Sequence, residues 1–148
     1  MNRLIIALAV LTGCGHVEES SDRAGQSGEA VEQNERFTLV YTDVIEGPIM
    51  EEIEQEWLEV QTCIGVAMPD PELTIEYVPL SEMPVSQYGW NMSGYIKYKP
   101  RYIRVNNDDR RTNYALRHEF VHWILYQLGE SDYDLENHLS PFYVECLV

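Results

Sequence analysis

Basic residues are scarce in this sequence: ten Lys and Arg stand against 25 Asp and Glu, and the formal net charge at pH 7 is −15. A protein surface of this sign repels the phosphates of nucleic acids and the headgroups of anionic lipids. The composition therefore argues against nucleic acid as a partner, and any membrane association should come from an attached lipid. Most of the basic residues lie in one window, which is either a solvated face or a patch that attracts acidic substrate segments. The members of this basic window are Lys97, Lys99, Arg101, Arg104, Arg110, Arg111 and Arg117.

The sequence also lacks an apolar run of the roughly 20 residues that a membrane-spanning helix needs. A shorter run, from Leu4 to Leu11, follows Arg3 and has the layout of a secretory signal over residues 1–13. The signal leads into Leu-Thr-Gly-Cys at residues 11–14, which resembles the bacterial lipobox. The resemblance implies cleavage after residue 13 and lipidation of Cys14. The alternative is an apolar N-terminus that is not cleaved.

Large apolar residues are almost absent from Gly15 to about Arg36, where Glu, Ser and Gly dominate. A segment of this composition cannot bury enough apolar surface to order itself. We therefore expect residues 14–36 to form a flexible tether that starts at the lipidated cysteine. The remaining residues, 37–148, are enough for one small domain.

Cysteine is limited to three residues, and two are free to pair if Cys14 carries a lipid. Export favours a disulfide, because oxidising compartments let thiols pair whereas the cytosol keeps them reduced. A bond between Cys63 and Cys146, 83 residues apart, would constrain the unfolded chain by roughly 4 kcal/mol through loop-closure entropy. The alternative is two buried free thiols.

The pattern of apolar residues predicts a mixed fold of the α+β class. Stretches rich in β-branched and aromatic residues predict strands at residues 37–44, 72–80, 94–98 and 102–105. Apolar residues three and four positions apart predict helices over residues 48–63 and 112–128. Thr112 is the expected N-cap of the second helix, and Gly129 is its expected stop.

The second helix contains the pattern His118-Glu119-x-x-His122. Residues four apart on a helix share one face, so both imidazoles can bind the same metal ion. A zinc ion (Zn2+) held by two histidines and a third ligand keeps one position for water, and Glu119 can take a proton from that water. The surrounding helix is apolar on most sides, so this polar stripe needs a partner such as a metal. The alternative is a pair of core histidines that are hydrogen-bonded to backbone or carboxylate groups.

These residues resemble the zincin-like metallopeptidases and, more narrowly, short bacterial lipoproteins regarded as zinc peptidases. The resemblance covers most of the ordered chain in its order of elements: a strand, a helix, a few strands, the HExxH helix and a ligand downstream. It implies a small mixed sheet packed on the N-terminal helix and a buried HExxH helix. It also implies that His118 and His122 are zinc ligands and that Glu119 is the catalytic base.

The third ligand does not follow from the familiar subgroups of this family. The metzincin extension needs Gly and His where this chain has Leu125 and Leu128. His138 is the expected third ligand, because the one other histidine outside the motif, His16, lies in the tether. The carboxylates of Glu136, Glu145 and Asp134 are the alternatives.

Several residues around this motif have two interpretations. Asp132, Asp134 or Glu136 either accepts a hydrogen bond from a ligand imidazole or is simply solvated. Tyr143 either orients the developing oxyanion or packs in the core.

Two further features concern the substrate. The resemblance places a peptide-binding edge strand at Tyr102 to Val105, ahead of the HExxH helix. Tyr88 and Trp90 either line a substrate cleft or pack in the core.

The expected function is hydrolysis of peptide bonds in a peptide or protein substrate by an envelope-anchored zinc metallopeptidase. The first alternative is a non-catalytic zinc-containing binding lipoprotein, and the second is a structural lipoprotein without metal. A bacterial host with two membranes would carry the protein on its outer membrane, because Gly15 is not the Asp that some bacteria read as inner-membrane retention.

Overall fold

The computed structural model describes residues 29–42, 50–86, 89, 91–107 and 113–147. Three predictions lie outside the described residues: the signal segment, the lipidation of Cys14 and the tether over residues 14–28. Tyr88, Trp90 and Thr112 also lie outside them.

The strands form one five-stranded mixed sheet, as the α+β prediction requires. Its strands are β1 (Glu29–Gln33), β2 (Phe37–Thr42), β3 (Leu73–Val78), β4 (Gly94–Lys97) and β5 (Tyr102–Asn106). The order across the sheet is β1-β2-β3-β5-β4. The three central strands run parallel, while β1 and β4 are antiparallel to their neighbours. The parallel strands carry the buried core residues, as expected for strands covered by other elements.

Strand β1 lies inside the segment that the sequence analysis assigned to the flexible tether. It pairs with β2 along its length. The turn between them is closed by Asn34, whose Oδ1 accepts hydrogen bonds from the backbone N–H groups of Arg36 and Phe37, both at 2.8 Å. Val31 is 58 % exposed, so this strand is held by backbone pairing rather than by burial. Its composition therefore gave no sign of order.

The prediction that the strand at Tyr102 to Val105 lies at the edge of the sheet is wrong. Strand β5 lies between β3 and β4, where it buries Ile103 and Val105. The antiparallel hairpin of β4 with β5 places β4 at the edge instead, and among the described strands none pairs with the other side of β4.

In the described part of the chain, four α-helices complete the fold: α1 (Met50–Ile64), α2 (Tyr114–Gln127), α3 (Asp132–Glu136) and α4 (Phe142–Glu145). A short 3-10 helix spans Leu80–Glu82. The two long helices confirm the predicted ones, and Gly129, with φ of 89°, follows α2 as the predicted stop. The predicted starts at residues 48 and 112 lie outside the described residues. Asn113 precedes α2 in a left-handed conformation and makes no side-chain cap. The helices of the described residues include none with the length and apolar character needed to cross a bilayer.

The core joins both long helices to the sheet through an aromatic cluster of Phe37, Trp57 and Phe120. The ring centroids of Trp57 and Phe120 are 5.3 Å apart, and Phe37 lies 5.8 Å from Phe120. Helix α2 is buried along nearly its whole length, which fixes its position against β4, β5 and α1. A disulfide joins Cys63 in the last turn of α1 to Cys146 just after α4.

Candidate metal centre

Helix α2 presents His118 and His122 on one face, one turn apart. Their Nε2 atoms are 3.1 Å from each other. His122 is only 9 % exposed, whereas His118 is half-buried. The apolar residues on the other sides of α2 hold the helix in the core, so the two imidazoles are fixed by packing.

The third imidazole comes from His138, whose Nε2 lies 3.0 Å from the Nε2 atoms of both His118 and His122. Its backbone ends α3 in a Schellman motif: the N–H of His138 donates to the carbonyl of Leu135, and the N–H of Leu139 donates to that of Asp134. His138 has φ of 52°, the left-handed conformation that usually belongs to Gly. This conformation costs a non-glycine residue roughly 1–2 kcal/mol. The imidazole is therefore presented by a strained position.

Hydrogen bonds alone cannot satisfy these three nitrogens. Each nitrogen of a neutral imidazole is either a donor or an acceptor, never both. Three such atoms in mutual contact must include at least one pair of two donors or two acceptors, which repel each other. A cation at the centre removes the conflict, because all three can then be acceptors. Two nitrogens bound to one zinc ion at about 2.0–2.1 Å can be at most about 4.2 Å apart. The three Nε2 pairs, at 3.0, 3.1 and 3.0 Å, meet this limit.

The pKa values of all three histidines are lowered, although His138 is itself exposed. Desolvation is the main cause of a pKa of about 4 at His118, and the neighbouring His138 lowers it further. Desolvation, together with both other imidazoles, lowers the pKa of His122 to about 3. Desolvation also lowers the pKa of His138. The neutral imidazole is the form that binds metals, so protons compete little for this site at pH 7.

Glu119, between the two motif histidines, is 4 % exposed. Desolvation raises the pKa of its carboxyl group to about 8. The carboxyl lies against Gly94 at the start of β4: a Cβ at that position would be 3.1 Å from Glu119 Cδ and would clash with Oε1. Only glycine leaves room for this carboxyl, so β4 and Glu119 are fitted to each other.

The ring of Tyr143 packs beside all three imidazoles. Its hydroxyl is 2.9 Å from Nδ1 of His122, the ring nitrogen that faces away from the other two histidines. Its ring centroid is 4.6 to 5.4 Å from those of all three imidazoles. Burial raises the pKa of the Tyr143 hydroxyl, so it is protonated at neutral pH. The hydroxyl is therefore placed to hydrogen-bond a candidate metal ligand from outside the cluster. The sequence analysis considered only orientation of the oxyanion or packing in the core for this residue.

In comparisons with protein-family models, with curated proteins and with solved structures, no match to the chain was found.

The carboxylates that were alternatives to His138 are not part of the cluster. Among the described residues, the group that can hold a metal consists of the three histidines. Asp134 instead takes part in the N-terminal cap of α3, where its N–H and carboxylate both bond to the hydroxyl of Ser131. Asp132, Glu136 and Glu145 are exposed.

The three described arginines of the basic window form ion pairs with acids. Arg101 contacts Glu72 at 2.8 Å, and Arg104 contacts Glu76 at 2.6 Å. Arg117 forms ion pairs with Glu56 and Glu59 of α1. These pairs neutralise the three arginines, whereas Lys97 and Lys99 of the same window are exposed. Arg110 and Arg111 lie outside the described residues.

Gly94 is the site residue that the sequence reasoning missed, since it was read only as the start of a strand. A glycine at the first residue of a strand of aromatic and β-branched residues is only a weak signal of a close backbone approach. It could not show that the approaching group is Glu119.

Proposed function

We propose that this chain is a zinc-dependent peptidase of the HExxH type. The observation that carries the proposal is the convergence of three neutral imidazoles on one point, with a buried carboxyl between two of them in the sequence of α2. A site that only stabilises the fold has no use for such a carboxyl, and structural zinc sites favour four protein ligands, often cysteines.

His118, His122 and His138 would hold the metal through their Nε2 atoms. Zinc bound there would supply electrophilic activation of a water molecule and of the carbonyl group that the water attacks. Three protein ligands leave a coordination position for water, as catalytic zinc sites require.

Glu119 is the proposed general base. It would accept a proton from the attacking water and return it to the leaving amine. Its pKa of about 8 reflects burial alone, so the carboxylate form needs a positive charge nearby. The packing of Gly94 against this carboxyl excludes water from one side and restricts its rotation.

The free edge of β4 is the proposed binding site for the peptide. This strand touches α2 at Gly94 and Glu119, so a peptide paired with β4 would pass close to the catalytic base. Addition of an extended segment to a sheet edge uses backbone hydrogen bonds, which suits a peptide of variable sequence.

Cys14 is the proposed lipid anchor, which would hold the peptidase in a bacterial cell envelope, on the extracytoplasmic side. The net charge of −15 gives the protein surface no attraction to anionic lipids, so the lipid would supply the membrane affinity.

Cleavage of a peptide library by the zinc-loaded chain, followed by mass spectrometry, tests the proposed activity. The matched variant is Glu119→Gln, which keeps the size of the side chain but cannot take the proton. We expect normal zinc content and a loss of cleavage of at least about 100-fold in this variant. Equal cleavage by both proteins would contradict the role of Glu119, and absence of cleavage by the wild type would favour a non-catalytic zinc-containing binding protein.

A further inference from the structure

The phenol ring of Tyr143 lies beside all three candidate metal ligands, and the residues that hold it suggest a link to the disulfide. We propose that Tyr143 is a positioning residue of the metal site and that the Cys63–Cys146 disulfide holds it in place. The proposal rests on the proposed metal site but not on catalysis.

The first step concerns the protonation of His122. Its Nε2 faces His118 and His138, so this nitrogen must be free of a proton to bind a metal. The proton of the neutral ring then sits on Nδ1, and this N–H donates to the hydroxyl oxygen of Tyr143 at 2.9 Å. The bond selects the metal-binding tautomer and fixes the ring against rotation. Outer partners of this kind typically change metal affinity 10- to 100-fold.

The second step concerns what holds Tyr143. It lies in α4, a four-residue helix that is too short to be stable alone. Val144 in the same turn is 75 % exposed, so the turn packs mainly through Tyr143 and Cys146 with help from Phe142. The N–H of Cys146 closes the turn on the carbonyl of Phe142 at 3.1 Å.

The third step joins the two. Cys146 is 3 % exposed and is bonded to Cys63 at the end of α1, whose other residues are anchored in the core by Trp57. Tyr143 is three residues from Cys146, within one helical turn, so the covalent bond restricts the hydroxyl to the neighbourhood of His122. Without the bond, α4 is held by its own hydrogen bonds and by the packing of Tyr143, Cys146 and Phe142. We expect this short turn to open more often in that case, and the hydroxyl to move away with it.

The proposal is tested by zinc dissociation constants of the full chain, purified in detergent and measured by competition with a chromophoric chelator. Four proteins form a cycle: the wild type, Tyr143→Phe, the double variant Cys63→Ser/Cys146→Ser, and the triple variant. Serine substitution, unlike reduction, creates no thiols that could bind zinc themselves. Tyr133→Phe is the matched control, because this tyrosine is 68 % exposed.

We expect Tyr143→Phe to weaken zinc binding 10- to 100-fold and the serine pair to weaken it by a similar factor. The triple variant should bind no more weakly than the serine pair, since the hydroxyl is already displaced. Tyr133→Phe should bind like the wild type. A change of less than about threefold in Tyr143→Phe would overturn the positioning role, and multiplication of the two effects in the triple variant would overturn the link to the disulfide.

A second readout separates this role from a general loss of stability. Nitrogen-15 spectra of the histidine rings report which nitrogen of His122 carries the proton. In the metal-free chain we expect the proton on Nδ1 in the wild type and a mixture of both tautomers in Tyr143→Phe; the same tautomer in both proteins would overturn the proposal even if the serine pair failed to fold. A chain that binds zinc but cleaves no peptide would leave this inference standing while it overturned the proposed function.

Discussion

His138 joins the motif histidines at a backbone position where glycine is usual. The Schellman turn requires a left-handed φ, here 52°, and this conformation costs a histidine free energy that glycine would not lose. Retention of a histidine at this position is understandable if its imidazole has a function. The same residue therefore offers a test in which metal binding and stability move in opposite directions.

Replacement His138→Gly should weaken zinc binding by more than about 100-fold, since loss of a direct ligand should exceed the effect of losing an outer partner. The metal-free chain should be as stable as the wild type or more stable by about 1 kcal/mol, because glycine adopts this φ without strain. Isothermal calorimetry with zinc and urea unfolding of the metal-free chain measure the two effects. Glu136→Gln, at an exposed carboxylate, is the control that should keep its zinc. Zinc affinity unchanged in His138→Gly would exclude this residue as a ligand.

Glu119 illustrates the cost of a buried functional carboxyl. Its pKa is about 4.5 in an unfolded chain and about 8 in the folded, metal-free protein. The folded state therefore holds more protons between these values, and its stability falls as the pH rises from about 4.5 through 8. The histidines act in the opposite direction: their lowered pKa values contribute stability above pH 6.5 that is lost as the pH falls toward 4 and 3.

Replacement Glu119→Gln isolates the contribution of this carboxyl, because the histidines titrate in both proteins. We expect the metal-free variant to gain stability relative to the wild type as the pH rises from 5 to 8, by an amount on the order of a few kcal/mol. Urea unfolding of both proteins at several pH values measures the difference. A difference that does not change with pH would mean that the carboxyl ionises without penalty in the folded protein.

At the scale of elements, apolar patterns in the sequence predicted the strands and helices that bury a whole apolar face. Strands β2, β3, β4 and β5 and helices α1 and α2 lie where the periodicity of the sequence predicts them. Strand β1, α3 and α4 were missed for a common reason. They are short or exposed, so none of them has an apolar pattern long enough to predict it, and backbone pairing, a turn motif and a disulfide help to hold them.

The residues of the candidate site also fall into those that the sequence predicts and those that only the three-dimensional structure shows. His118, Glu119 and His122 follow from spacing on one helix, and His138 from the small number of histidines available. The places of Gly94 and Tyr143 depend on which elements meet in three dimensions, and no local pattern contains that information. The edge position of β4 was missed for this reason too, because the order of strands in a sheet is not a property of any one strand.

Helix α1 supports α2 through Trp57, which is 2 % exposed and contacts both Phe37 and Phe120. Truncation to Trp57→Ala should lower the free energy of unfolding by about 3–5 kcal/mol, because it leaves a large cavity between the two helices and the sheet. Leu58→Ala, at the next position of α1 but 48 % exposed, should cost less than about 1 kcal/mol. Chemical denaturation measures both. Similar losses in the two variants would contradict the packing of α1 described above.

At the scale of the whole molecule, the proposed architecture is an acidic catalytic domain on a lipid anchor. Metabolic labelling with palmitate in a bacterial host tests the anchor. We expect the wild type to incorporate label and to lose residues 1–13, whereas Cys14→Ala should do neither, because the thiol is the acceptor of the lipid. The double variant Cys63→Ser/Cys146→Ser should still be labelled. Labelling of Cys14→Ala, or an intact mass that retains residues 1–13 in the wild type, would contradict lipidation at this position.

The central claim is that three histidines form a zinc site, and metal content tests it most directly. Elemental analysis of the purified chain after zinc loading and removal of free metal gives the number of ions bound per chain. The account predicts about one zinc ion in the wild type and almost none in His118→Ala or His138→Ala. Absence of zinc from the reconstituted wild type, or full zinc content in both alanine variants, would contradict it.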